Sequence, residues 1–190
     1  MKPLVLFAPG AGAPSTSPWM RAWAERLGAH GRVVTFDYPY MIAGRRLPDK
    51  LPVLVAAHRA ALDAARGDAT RVVLAGKSMG SRVGCHLAEQ PGVEVAALVC
   101  FGYPLRSPTG TLRDEVLLSL ATPILFVQGD RDPLCPLELL ADVRARMTAP
   151  SVLHVVPGGD HGLAVRGGKA RQAESDAAVE RAVTTFLAPA

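Results

Sequence analysis

The chain has 190 residues, 49% hydrophobic and 20% charged, a composition that supports a folded core and excludes a disordered chain. Its formal charge of +4 comes from basic residues scattered as singles and one pair, Arg45-Arg46; with 5% aromatics there is neither a basic block nor a stacking platform for nucleic acid. No apolar run approaches the ~20 residues of a membrane span. The cysteines Cys85, Cys100 and Cys135 are far apart and follow no paired spacing, so they read as free thiols of a cytoplasmic protein.

Leu4–Ala8 is a short apolar run that reads as a first strand; with only Lys2 as a basic flank it is too short for a signal peptide. A helix over 19–27 follows, with Ser17 as N-cap, Pro18 at the first helical position and Gly28 past its end. Further along come a strand over 33–37, a helix over 52–65 and a buried strand over 72–75. Met79, Val83 and Leu87 then recur on one face of a helix over 79–89, which Pro91-Gly92 stops. Strands over 97–101 and 124–128, a helix over 137–147, a strand over 152–156 and a helix over 173–187 complete the chain. This alternation predicts an α/β fold: one domain over 1–190, with a mostly or wholly parallel six-stranded sheet, helices on both faces and no cap domain. Ligands of such sheets lie beyond the carboxyl ends of the strands, so the loops there are where chemistry is expected.

Those loops carry a coherent set of groups. Gly76-Lys77-Ser78-Met79-Gly80 is a G-x-S-x-G turn between a predicted strand and a predicted helix, the setting of a nucleophile elbow. A serine hydroxyl is a poor nucleophile at neutral pH and needs an imidazole to take its proton; the imidazole needs a carboxylate to fix its tautomer. Of the five histidines, His30 falls in a turn, His154 inside a strand, and His58 and His86 on helices as surface or core-edge groups. Only His161 follows a strand end in a glycine-rich loop. Asp130, Asp132 and Asp160 compete for the acid, since any of them can instead cap a helix or hold a turn. The backbone N–H of Met79, directly after the serine, is one expected oxyanion donor.

Other chemistries are poorly served. A dinucleotide fingerprint needs glycine where Ser15 stands, and a P-loop ending in Gly76-Lys77-Ser78 needs glycine where Arg71 stands. No pair of side chains has metal-ligand spacing, and no cofactor is implied. Lys77 is expected to point away from the site, and Cys85 to be core.

Over essentially its whole length the sequence resembles the α/β-hydrolase superfamily, which implies a minimal α/β-hydrolase fold whose first strand matches the superfamily's third. Gly129-Asp130-Arg131-Asp132 resembles the G-x-x-D acid turn and so implies Asp132 as the acid; Gly159-Asp160-His161 resembles the histidine loop. Three further stretches are similar to a dienelactone-hydrolase-like group, the testis-expressed/NSL-complex-subunit branch. They are residues 9–14 (PGAGAP), residues 38–41 (YPYM) with 44–49 (GRRLPD), and residues 77–82 (KSMGSR). Match to relatives implies Ala11 as the second oxyanion donor, while Pro9 stands where many relatives have histidine. The resemblance implies a serine hydrolase acting on a small-molecule ester-like substrate through an acyl-enzyme, with Ser78 as nucleophile and His161 as base. Nucleic acid and membrane are not expected as partners. Arg45, Arg46 and Arg82 are candidate groups for a substrate carboxylate. The alternative is a non-catalytic interaction module on the same fold.

Overall fold

A computed structural model describes residues 3–188 of the chain. Its centre is a six-stranded, all-parallel sheet in the order β2-β1-β3-β4-β5-β6. The strands β1 (Leu4–Ala8), β4 (Ala97–Phe101) and β5 (Ile124–Gly129) are buried along their whole length, and β3 (Val72–Lys77) all but its last residue. Strands covered on both faces need apolar residues at every position, which is why they stand out in the sequence as continuous runs. The edges are β2 (Arg32–Thr35) and β6 (Ser151–Val156), both only partly buried.

Strand alternation divides the core in two. Leu4, Leu6, Leu74, Cys100 and Phe126 point to one face, against α3 (Leu51–Arg66), α4 (Met79–Ala88) and α6 (Leu137–Arg146). Val5, Phe7, Val73, Val99 and Val127 point to the other, against α1 (Pro18–Leu27) and α7 (Gly168–Leu187). From β1 the chain runs outward to the β2 edge, returns to β3 beside β1, and then builds toward β6. The order therefore reverses between β1 and β3, and the loops leaving those two strands open a crevice at that switch point.

The structure departs from the sequence-based expectations at several places. β2 ends at Thr35, because Asp37 leaves the ladder and its Oδ1 accepts a hydrogen bond from Ser15 N at 2.6 Å. Two short helices, α2 (Pro39–Ile42) and α5 (Glu115–Ser119), occupy segments without enough length to show periodicity. α7 begins at Gly168, five residues before the predicted start, with an exposed first turn that carries no apolar signal. His58 is fully buried rather than at the core edge; its Nδ1 lies 3.2 Å from the Tyr38 hydroxyl. Among the described residues no helix is long and apolar enough to cross a membrane.

Candidate active site

The turn from β3 into α4 is shaped by contact. A Cβ on Gly76 would run into the backbone of Gly80 and Ser81, and one on Gly80 into the carbonyl oxygens of Ala8 and Pro9. Strand and helix thus touch where the motif has its glycines. Between them Ser78 sits at φ 49°, ψ −113°, a conformation that side-chain-bearing residues avoid and that the surroundings must enforce. Its N–H donates to Phe101 O on β4 at 2.9 Å, and its carbonyl accepts from Ser81 Oγ at 2.6 Å.

The loops after β5 and β6 bring the partners to it. His161 Nε2 is 2.8 Å from Ser78 Oγ, and His161 Nδ1 is 2.8 Å from Asp132 Oδ2. With Nδ1–H donating to the carboxylate, Nε2 is left to accept the serine proton. Asp132 is 3% exposed, and its charge is met by further donors: Gln128 Nε2 to Oδ2 at 2.5 Å and Leu134 N to Oδ1 at 2.8 Å. Asp130 instead accepts from Gly158 N at 2.7 Å, and Asp160 Oδ1 accepts from Gly162 N at 2.7 Å and Ala164 N at 2.9 Å. Those two carboxylates shape the histidine loop, and Asp132 is the one that reaches the imidazole.

The backbone N–H groups of Met79 and Ala11 donate to no acceptor among the described residues. The Ala11 loop is braced from one segment: the Tyr40 hydroxyl donates to Ala11 O at 3.0 Å, while Asp37 holds Ser15 N. Burial foremost, then the charges of Asp49 and Asp37, pushes the Tyr40 hydroxyl up to about 12, so it remains a protonated donor at neutral pH. A cavity of about 360 Å³ opens beside Ser78, walled by Ala11, Gly12, Trp19, Met20 and His161. Its walls are mainly apolar.

The structure therefore gathers Ser78, Asp132, His161, Met79 and Ala11 at one point. Arg45, Arg46 and Arg82 do not line this cavity. Arg45 is bound to Asp49 at 2.7 Å on an exposed loop, where Arg46 is exposed as well. Arg82 lies along α4, its Nε buried without a partner among the described residues. Lys77, expected to face away, instead lines the cavity. Gln128, Tyr40 and Asp37 had drawn no role from the sequence. The one local signal was an amide at the end of the otherwise apolar β5, immediately before the acid turn. Among the described residues, no three His, Cys, Asp or Glu side chains converge as a metal site requires.

Solved structures share this architecture. An alpha-beta serine hydrolase homologue from Coxiella burnetii is similar with a TM-score of 0.74 and 20% identity, over 95% of this chain and 84% of that one. A dienelactone hydrolase from Anabaena variabilis matches with a TM-score of 0.71 and 23% identity, over 94% and 84%. The type II thioesterase BorB from the borrelidin biosynthetic cluster matches with a TM-score of 0.73 and 19% identity, over 99% and 94%. At these identities the likeness speaks to the fold. A sequence model of the alpha/beta hydrolase domain, by contrast, matches residues 1–188, so the chain belongs to the alpha/beta hydrolase family.

Proposed function

We propose that the protein is a serine hydrolase that cleaves an ester-like bond of a small molecule through an acyl-enzyme. The observation that carries this reading is the unbroken relay from a strained Ser78 to His161 to Asp132, with both contacts at 2.8 Å. Ser78 Oγ attacks the acyl carbon while His161 Nε2 takes its proton. The Met79 and Ala11 amides receive the charge that develops on the acyl oxygen, each donor being worth roughly 10²–10³ in kcat. Collapse breaks the bond to the leaving alcohol or thiol, which His161 protonates. Water then repeats the sequence on the acyl-enzyme, releasing the acid and restoring Ser78. Asp132 keeps its charge throughout and holds the imidazole in the required tautomer.

The cavity limits the acyl group. About 360 Å³ between Trp19, Met20 and small residues suits a short apolar acyl chain on a carboxylic ester or thioester. The names borne by the similar structures, dienelactone hydrolase and thioesterase, fall in the same class. We place the chain in the testis-expressed/NSL-complex-subunit branch on its three signature stretches. Its compartment is read as the cytoplasm, in keeping with three buried, unpaired thiols. A fluorophosphonate probe is expected to label the wild type and to miss Ser78→Ala, and p-nitrophenyl esters of short acyl chain are expected to turn over fastest. Labelling that survives Ser78→Ala removes Ser78 as nucleophile. No ester turnover above the Ser78→Ala background hands the fold to the interaction-module reading.

A further inference from the structure

We propose that Lys77 is a positioning residue that tethers the histidine loop to the nucleophile strand, its Nζ donating to the backbone carbonyl of His161. The proposal rests on the hydrolase reading and goes beyond it, to what holds the base in place.

Lys77 is the last residue of β3 and immediately precedes Ser78. Strand alternation sends its side chain to the same face as Val73 and Ala75, toward α1 and not toward α4. There the stem passes Gly10, where a Cβ would stand 3.3 Å from Lys77 Cγ. The ammonium lies 5.2 Å from the Trp19 ring centroid and reaches His161 O. No other donor meets that carbonyl among the described residues.

The seat for this contact is built by a third strand. Gly102, just past β4, has φ +64°, and a Cβ there would stand 2.7 Å from His161 O and 3.2 Å from Lys77 Nζ. β3, β4 and the loop after β6 therefore meet at one point, and a glycine leaves it open. A residue needed only to fill space beneath Trp19 would be Leu or Met. Burying an ammonium costs free energy unless the charge is used. Burial indeed pulls Lys77 down to about 8, against the opposing pull of Asp132 and then Asp160. The groups facing the ammonium are those two carboxylates and His161 itself. What the arrangement does is hold the His161 main chain at a fixed distance from Ser78, through a charge-assisted bond carried on the neighbouring residue. The bond weakens as Lys77 loses its proton above about 8.

Lys77→Met keeps the stem and removes the donor. The expected result is a kcat lower by about ten- to a hundredfold, with a smaller change in KM from the loss of an ammonium that lines the cavity. In the proton NMR spectrum the downfield His161 Nδ1–H signal is expected to broaden or vanish. Lys77→Arg keeps a donor that does not deprotonate; it should retain most of kcat and lose the alkaline decline expected of the wild type as Lys77 deprotonates above about 8. An unchanged kcat and an unchanged His161 signal in Lys77→Met would overturn the tether, and so would a change in KM alone. If Lys77→Met does not fold, the Lys77→Arg pH profile decides: an alkaline limb retained as in the wild type overturns the proposal. A wild type without turnover refutes the hydrolase reading, while the His161 signal in Lys77→Met still decides the tether.

Discussion

Replacing Asp132 by asparagine is the sharpest test of how the site is wired. The carboxylate takes three donors: Gln128 Nε2 and His161 Nδ1 at Oδ2, and Leu134 N at Oδ1. Leu134 N is backbone and cannot turn, so the amide oxygen introduced by Asp132→Asn would be drawn to the Oδ1 position. That puts the new NH₂ where Oδ2 was, facing His161 and Gln128. Gln128 accommodates it, because its Oε1 is buried without a partner among the described residues and a flip of its amide presents that oxygen to the NH₂. The flip carries Gln128 Nε2 to where Oε1 stood, so one buried amide group stays without a partner among the described residues, as before. The NH₂ donates to Nδ1, which forces the tautomer carrying its proton on Nε2, and that nitrogen can no longer accept from Ser78. Loss of tautomer control lowers kcat about 10⁴-fold in the archetypal serine-protease triad, equivalent to ~5.5 kcal/mol of barrier. We expect a loss of that order at unchanged KM and near-unchanged thermal stability.

Asp130→Asn is the control. Its Oδ1 accepts from Gly158 N on the surface, a bond an amide oxygen also accepts, so kcat is expected to stay within about threefold. The assay is steady-state hydrolysis of a p-nitrophenyl ester, backed by the rate of fluorophosphonate labelling, which reads the nucleophile even with a poor substrate. A larger loss in Asp130→Asn than in Asp132→Asn refutes the assignment. A loss in Asp132→Asn of only about tenfold refutes the flip of Gln128, since it means the amide oxygen still faces His161.

Tyr40→Phe deletes the hydroxyl that fixes the Ala11 carbonyl, and with it the orientation of the loop proposed to receive the oxyanion; kcat is expected to fall about tenfold, the kinetic equivalent of one ordinary hydrogen bond. Ester hydrolysis at full rate would mean the loop is held by its own backbone. His58 gives an acid limb: burial lowers its pKa from 6.5 to about 3, so the unfolded chain binds a proton that the folded one refuses. Its contribution is fully present above 6.5 and is lost as pH falls toward 3, at up to about 1.4 kcal/mol per pH unit. Thermal unfolding followed from pH 7 to pH 4 should show this slope in the wild type and a shallower one in His58→Gln. Equal slopes would place the acid sensitivity elsewhere.

What could be read from the sequence follows from how far apart the cooperating residues lie. β1, β4 and β5 were legible because burial on both faces writes an uninterrupted apolar run into four or five consecutive positions. The elbow was legible because glycine, serine and glycine lie within one turn, and the contacts at Gly76 and Gly80 explain the residue types. His161 stood out as the one histidine in a glycine-rich strand end. α2 and α5, at four and five residues, bury less than two helical turns and show no period. The choice among Asp130, Asp132 and Asp160 was opaque to composition, since all three are aspartates in turns; only backbone direction decides which carboxylate meets the imidazole. Tyr40 acts on a carbonyl 29 residues away and Lys77 on one 84 residues away, and no local pattern encodes either contact.

Lys77 also shows where a general expectation was overruled. A lysine beside a turn is by composition a solvent-facing group, yet its place in β3 is two residues after Ala75 and four after Val73, both packed against the α1 side of the sheet. Alternation alone therefore sends it inward, under Trp19, and the only question left is what receives its charge. Gly102 answers it: the left-handed glycine after β4 clears the space in which the His161 carbonyl and the ammonium meet. Strand periodicity and a single glycine conformation thus place a charge next to Ser78, where hydropathy would have put it in water.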